Sequence, residues 1–435
     1  MSTFNPGDKV ILRGGKIAVI NSLLGQGGQG AVYDVTVNNQ HFALKWYLPS
    51  YLKNINQKSF YKNLCENQMA GSPSSQFLWM LDVSEYKKDS FGYLMDLRPA
   101  NYTSFTSILN AKTRVKSVKI QLKIAQNICR AFQTLHREGY SYQDINDGNF
   151  FVDANTGDVL ICDNDNVAPY GTWMGMAGKD RYMAPEVVLG TKHAGMESDL
   201  FSMAVVLYML LFISHPLEGR NVHSCPCLTT KFMKKFYAEQ PVFVYDPHND
   251  TNRPVKGIDN NIITLWPLYP QKLKDLFTRS FTSGLKDAAY RVRENEWIEC
   301  FEEMINNLVI CPVCGGEQFY ERRLDGKNTF ICEDCKSEIR KPFILIDKAK
   351  TKNLFVGIEL TEKNTAGKAS NTISGRIIES MKHPGLWGII NLSDESWSAI
   401  LSNGKTVIAG KNEIIPLYAN SIVNFSSNKT VEIVI

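Results

Sequence analysis

Residues 25–45 read GQGGQGAVYDVTVNNQHFALK. Gly25, Gly27, Gly30 and Val32 fit G-x-G-x-x-G-x-V, which a chain of this length carries by chance roughly one time in seven, so the glycines alone decide little. The residues after them decide more. A dinucleotide-binding fingerprint runs from a strand into a helix, whereas AVYDVTV alternates apolar and polar residues, NNQ is a turn and HFALKWY is a further strand. The stretch is a strand-loop-strand flap. Gly25, Gln26, Gly27, Gly28, Gln29 and Gly30 would close over phosphate oxygens, which backbone N–H groups approach only where no side chain intervenes. The alternative is a flexible hairpin. Lys45, on the next strand after Ala43, would bring an ammonium to the same phosphates.

Outward from this stretch, residues 10–44 read as a sheet of hairpins. Val118, Leu122, Ala125, Cys129 and Phe132 recur at helical spacing and open a helical half. Further helices are expected at Asp199–Phe212, Pro270–Phe281 and Asn295–Leu308, around an irregular insertion at 215–266 rich in Pro, Asn and Asp. Past Pro342 the pattern becomes short strands (FILI, LFVGIEL, GLWGIINL, SWSAIL, VNFSS, TVEIVI) with Gly, Asn and Ser at the turns.

The chain has 435 residues, 44% of them apolar, which excludes disorder and collagen and predicts two to four domains. A net charge of +4 supplies no general field for nucleic acid or an anionic membrane, so neither is expected as a partner. MSTFNPGDKVIL lacks a basic segment followed by an apolar one, and the apolar run Met203–Ile213 is below the ~18 residues a membrane span needs. A cytoplasmic protein with free or metal-bound thiols is expected.

Three more segments occur in order: Tyr142-Gln-Asp144-Ile-Asn-Asp-Gly-Asn149, Asp163-Asn-Asp165 and Ala184-Pro-Glu186. With the Gly-rich loop and Lys45, the chain resembles the protein kinase superfamily over about residues 10–308. The resemblance implies an α+β, two-lobed fold (1–95 and 96–308), ATP with Mg2+ or Mn2+, and a protein substrate. It implies Asp144 as the base for the attacking hydroxyl and Asn149 and Asp163 as metal ligands. ATP contacts would come from residues 25–30, Val32, Ala43, Lys45, Met95, Asp96 and Leu97, the last three in a hinge. By resemblance Glu66 pairs with Lys45; the alternative is a surface pair with Lys62, four residues earlier. Glu186 and Arg291 would form a buried ion pair, and Asp199 would begin the central helix.

The chain departs from the family at Tyr142-Gln143 in place of His-Arg, which puts activation by a bound phosphate in doubt. Asn146 replaces a common Lys, Asn164-Asp165 replaces Phe-Gly, and Lys179 stands where a Thr is usual. One reading has Lys179 approach Asp144 and compensate for Asn146; the other makes it an exposed loop lysine. Asp165 would lie near the metals or cap a turn. With His215-Pro-Leu-Glu-Gly219 and Phe243-Val-Tyr-Asp-Pro247, CDNDNV is similar to a bacterial kinase group found beside protein phosphatases and von Willebrand A-type proteins, implying such partners in bacterial signalling or stress response. A pseudokinase scaffold is the competing class.

Cys311-Pro-Val-Cys314 and Cys332-Glu-Asp-Cys335 have the spacing of a four-thiolate zinc ribbon over 309–341, with QFYERRL and KNTFI as a hairpin between the knuckles. Cys225-Pro-Cys227 near His215 and His223 reads as free thiols or a second metal site. The tail 342–435 is expected to be a β-sandwich that faintly resembles a degenerate forkhead-associated domain, with Arg376 as a candidate phosphate contact.

Overall fold

Alternating burial along residues 9–47 produces four consecutive antiparallel strands in the computed structural model: β1 (Lys9–Ile11), β2 (Ile17–Gln26), β3 (Gly30–Val37) and β4 (Gln40–Tyr47). The structure describes residues 4–175, 178–227, 229–321, 325–368, 370, 372–426 and 429–435. Asn38 and Asn39 join β3 to β4 at φ of 48° and 63°, the left-handed conformation of a two-residue hairpin turn. After α1 (Pro49–Leu52) and α2 (Gln57–Ala70), β5 (Met80–Val83) and β6 (Gly92–Met95) complete a sheet of order β1-β2-β3-β4-β6-β5. One face buries Ala18, Ile20, Tyr33, Val35, Leu44, Trp46 and Leu94. Period two then sends Val32, Ala43, Lys45, Tyr93 and Met95 to the opposite face, where Lys45 stands across from both Val32 and Tyr93.

The expected helical half comes next, with α3 (Phe105–Leu109), α4 (Val118–Arg137), α5 (Pro185–Val188) and α6 (Met196–Phe212). Ser117 caps α4 by accepting from the N–H of Ile120, and Leu122, Ala125, Cys129 and Phe132 lie on its buried stripe. The middle of α6 is buried on every side, as a helix without a polar face must be. Helices Gln271–Phe281 and Glu294–Asn306 pack the remainder. In the irregular 215–266 stretch the buried Asn252 amide donates to the carbonyls of Leu217 and Val242 at 2.9 and 2.7 Å. No helix among the described residues is long and apolar enough to cross a membrane.

The chain divides into two compact units, Met1–Phe301 and Glu302–Ile435. In the second, two hairpins carry the cysteine pairs: Leu308–Ile310 pairs with Glu317–Phe319, and Thr329–Ile331 with Glu338–Arg340. This corrects the expected hairpin of QFY with NTF, because each Cys-x-x-Cys sits in the turn of its own hairpin. Arg322, Arg323 and Leu324 of that expected strand lie outside the described residues. A six-stranded and a four-stranded sheet complete the unit, enclosing Phe343, Leu360, Ile377, Trp397 and Phe425. LFVGIEL is two strands rather than one, Lys350–Leu354 and Glu359–Thr361, broken by Gly357 at φ 93°. Val309, Tyr320, Ile344 and Val434 share one apolar cluster, so the cysteine-rich segment and the tail pack together.

Candidate functional site

The β2–β3 loop closes through Gly27 N–H donating to the Gly30 carbonyl at 2.8 Å. Gly30 is required by packing, since a Cβ there would sit 2.5 Å from the Trp46 carbonyl oxygen. Gly25, Gly27 and Gly28 are different. A Cβ on any of them would meet nothing, and none adopts a left-handed φ, so neither packing nor backbone strain within the chain demands glycine. Glycine there keeps an exposed backbone open to something approaching from outside.

Lys45 is almost fully buried on the inner face of the sheet. Its ammonium has three donors and reaches three acceptors: Asp165 Oδ2 at 2.8 Å, Asp163 Oδ1 at 3.2 Å and Gln29 Oε1 at 3.2 Å. Burial alone would depress its pKa, but Asp163 and Asp165 outweigh that and hold it well above the usual lysine range. The three charges are brought together from positions 45, 163 and 165 by the sheet and a short loop. Asp163 itself takes a left-handed φ of 56° at the start of the turn Asn164–Asn166. That turn is held by hydrogen bonds: Asn164 Nδ2 donates to the carbonyls of Leu78 and Ile161 at 2.8 and 3.1 Å, and Asn63 and Asn67 of α2 both donate to the Val167 carbonyl at 2.8 and 2.7 Å.

Asp144 lies on the next loop. Asn146 Nδ2 donates to its Oδ1 at 3.0 Å, Asn149 Nδ2 to its carbonyl at 2.8 Å, and Asn166 Nδ2 is 3.4 Å from its Oδ2. Burial pushes the Asp144 carboxyl up to about 7, with Asp163 and Asp165 adding to the rise and Asn146 and Lys179 opposing it. Because Asn149 commits its amide nitrogen to Asp144, the atom it can offer a cation is Oδ1. The Asp163 carboxylate and the Asn149 amide oxygen are fitting ligands for a hard cation, and the Lys45 ammonium complements the phosphates such a cation would accompany.

The backbone of this loop is fixed by Asp199 at the start of α6, whose carboxylate accepts the N–H of Tyr142 at 2.6 Å and of Gln143 at 2.9 Å. Arg291 grips Glu186 with two bonds of 2.8 Å. Met95 is buried at the end of β6, Asp96 is exposed and Leu97 half-buried as the chain leaves the strand.

Two expectations are corrected. Glu66 is not a partner of Lys45: it is exposed and lies 3.5 Å from Lys62, because the buried stripe of α2 runs through Phe60, Asn63, Leu64 and Asn67 and leaves Glu66 outside it. Lys179 does not hydrogen-bond to Asp144: its ammonium lies 2.9 Å from Asp147 Oδ1, and the side chains that donate to the Asp144 carboxylate are Asn146 and Asn166. The sequence reading put Asp165 near the metals or at a turn but did not pair it with Lys45, and it missed Tyr47 and the two α2 asparagines as parts of this site. For α2 the signal was its period, which disqualified its single acid.

In the second unit the ligand atoms of Cys311, Cys314, Cys332 and Cys335 lie within 4.8 Å of one another. The Sγ atoms of Cys311 and Cys335 are 3.8 Å apart, and those of Cys314 and Cys332 3.7 Å. Tetrahedral zinc with Zn–S of about 2.3 Å requires edges of about 3.8 Å, so the donor set fits that ion. Cys225 donates to the Cys227 carbonyl, His223 bonds Asp259 and His215 bonds the Arg181 carbonyl, so these four do not converge. Arg376 is paired with Glu359 at 2.7 Å.

The family model "Protein kinase domain" matches residues 18–278. Over 212 residues, 46% of this chain and 28% of the relative, the sequence is 27% identical to the cell cycle serine/threonine-protein kinase CDC5/MSD2 of Saccharomyces cerevisiae. It is 24% identical to the dual specificity protein kinase shkB of Dictyostelium discoideum over 265 residues, 59% of this chain and 36% of that one. It is 30% identical to the sucrose non-fermenting protein kinase 1 of Fusarium virguliforme over 128 residues, 29% and 18% of the two chains. The chain thus spans 18–36% of the length of these relatives.

Proposed function

The chain belongs to the protein kinase family, and from that premise we propose that it transfers the γ-phosphate of ATP to Ser or Thr hydroxyls of a protein substrate, with Asp163 and Asn149 holding magnesium or manganese. The observation that carries this reading is the convergence of Lys45, Asp144, Asn149 and Asp163 in one unit, with an exposed loop whose glycines at 25, 27 and 28 serve no need of the chain itself. Held by Asp163 and Asn149, a metal would supply charge neutralisation on the phosphates. Lys45 neutralises the non-transferred phosphates, the Gly25–Gly30 backbone covers them, and Val32, Ala43 and Met95 bound the base, which Asp96 and Leu97 meet through their backbone. Asp144, held by Asn146, orients the acceptor hydroxyl and takes its proton as the hydroxyl oxygen bonds the γ-phosphorus and the bond from that phosphorus to the β–γ bridging oxygen breaks, releasing ADP.

The partners proposed are a von Willebrand A-type protein and a cognate phosphatase, on the segments CDNDNV, HPLEG and FVYDP, in a bacterial cytoplasmic pathway. The four cysteines are proposed as a structural zinc site, closed by four protein ligands and without an open position for chemistry. The tail is proposed as a docking or structural β-sandwich, since the Arg376 guanidinium is already engaged by Glu359.

Label transfer from γ-labelled ATP to a generic protein substrate and to the chain itself, compared with Asp163→Ala, tests the catalytic reading. Transfer by the unmodified protein alone is the expected result. Nucleotide-dependent thermal stabilisation without any transfer makes the protein a scaffold.

A further inference from the structure

The phosphate-binding lysine needs a carboxylate to hold it, and helix α2 does not supply one. Its single acid, Glu66, points outward, and its inward asparagines bond a backbone carbonyl instead. We infer that Asp165 is the positioning residue for Lys45, taking over from the same segment that bears Asp163 the task that an acid on α2 was expected to perform. The inference rests on the kinase reading of the site and adds to it.

Three observations carry the assignment. Asp165 is the nearest acceptor of the Lys45 ammonium, at 2.8 Å against 3.2 Å for Asp163. Its side chain is fully buried while that of Asp163 is 39% exposed, so Asp165 faces the interior behind the lysine and Asp163 faces outward. Tyr47, two residues along β4 on the same face, donates its hydroxyl to the same oxygen at 2.5 Å and fixes the carboxylate from the sheet side. A buried carboxylate whose Oδ2 serves both the ammonium and the phenol holds Lys45 without an acid on α2, while its Oδ1 is buried with no hydrogen-bond partner among the described residues.

Charge arithmetic shows what this does for Asp163. Lys45 neutralises one of two carboxylates, and with Asp165 buried beside it, the other negative charge stays on Asp163, where a divalent cation can use it. Without Asp165 the ammonium has Asp163 as its single carboxylate and competes with the cation for it. The ion pair also belongs to a segment whose Asn164 and Val167 are tied to Leu78 and to α2, so lysine, metal ligand and helix register move together.

The test uses the full chain and the variants Asp165→Asn, Tyr47→Phe and Glu66→Gln. In the transfer assay Asp165→Asn is expected to raise the KM for Mg-ATP, and the Mg2+ concentration needed for half-maximal rate, by about tenfold, with Tyr47→Phe shifting both in the same direction by less and Glu66→Gln within about twofold of wild type. A merely structural role would lower the folded fraction and hence the apparent kcat, leaving the Mg2+ requirement in place. In parallel, amine acylation at Lys45 without nucleotide is followed by mass spectrometry, and a several-fold faster reaction in Asp165→Asn and Tyr47→Phe than in wild type or Glu66→Gln is expected. Equal acylation rates in all four proteins, or a loss in Glu66→Gln matching that in Asp165→Asn, overturns the assignment. If wild type transfers no phosphate, the kinase reading fails while the acylation rates still decide the pairing.

Discussion

Gln143 Nε2 donates to the carbonyl oxygen of Thr172 at 2.6 Å, and its Oε1 lies 3.4 Å from the N–H of Met174. A neutral amide thus clamps the backbone of the segment ahead of Ala184-Pro-Glu186. A guanidinium at 143 would need an anion to hold that segment, whereas Gln143 uses groups every residue has. The protein is therefore expected to be active without phosphate on this segment. Phosphatase treatment should leave kcat within about twofold, whereas Gln143→Ala, losing two hydrogen bonds, should lower it about tenfold. A large loss on dephosphorylation would contradict the clamp.

Burial raises the Asp144 carboxyl, and the hydrogen bond from Asn146 opposes that rise. In the proposed role of base Asp144 must be ionised, so kcat/KM should fall as pH drops through about 7, the value to which burial lifts this carboxyl. The Asn146 donor favours the ionised form, and its removal in Asn146→Ala should move the acid limb to higher pH and lower the rate near neutrality. Lys179→Ala loses an ion pair whose lysine is more than half exposed, so stability should change by less than about 0.5 kcal/mol and the limb should move little. A larger shift in Lys179→Ala than in Asn146→Ala would restore the lysine as the partner of Asp144.

How far the sequence carried can be judged at single residues. That Lys45 would meet Asp163, and Asn149 would meet Asp144, was legible because their motifs are short and ordered along the chain. The Glu186–Arg291 pair was legible by resemblance. The partner of Lys45 was not, because Asp165 is 120 residues away and its neighbour in the motif is itself a carboxylate. Reading Asp165 as the partner needed the burial of one carboxylate and the exposure of the other, which are tertiary facts. The pairing of the cysteine-rich hairpins was hidden for a related reason. Asp325-Gly326 is a good turn signal, but the cysteine knuckles are competing turns, and each closed its own ladder.

His136 links the helical half to the loop that carries Asp144. Its ring bonds Asp199 at 3.2 Å and also Glu294, and these bonds outweigh burial to raise its pKa from 6.5 to about 9. A folded value above the unfolded one means that the stabilisation is complete below pH ~6.5 and disappears as pH rises through about 9. The shift corresponds to about 3 kcal/mol. Urea unfolding of the first unit should show the advantage of wild type over His136→Gln shrinking by about that amount between pH 6 and pH 10. An advantage that grows with pH would mean that the imidazole is held neutral.

The two cysteine knuckles are built alike. Gly315 N–H donates to the Cys311 carbonyl at 2.9 Å and Lys336 N–H to the Cys332 carbonyl at 3.1 Å, with left-handed φ of 73° and 61° at the two donors. Among the described residues the apolar cluster at the cysteine turns is small, Cys311, Cys332, Ile339 and part of Phe330, and the further support from Val309 and Tyr320 lies away from the turns, which leaves the turns themselves little to order them. An ion shared by the four thiolates would supply that order, since metal binding to such a set is folding free energy. The purified chain should release one zinc per polypeptide when its thiols are blocked with a mercurial. Cys332→Ser, which removes a fully buried ligand, should bind little metal and unfold the second unit at a lower temperature, leaving the transition of the first unit in place. Lys336→Gly relieves the left-handed strain and should stabilise the metal-bound unit by about 0.5–1 kcal/mol. A chain that binds no zinc, and whose four thiols react as freely as Cys227, would leave the cluster a reduced dithiol pair.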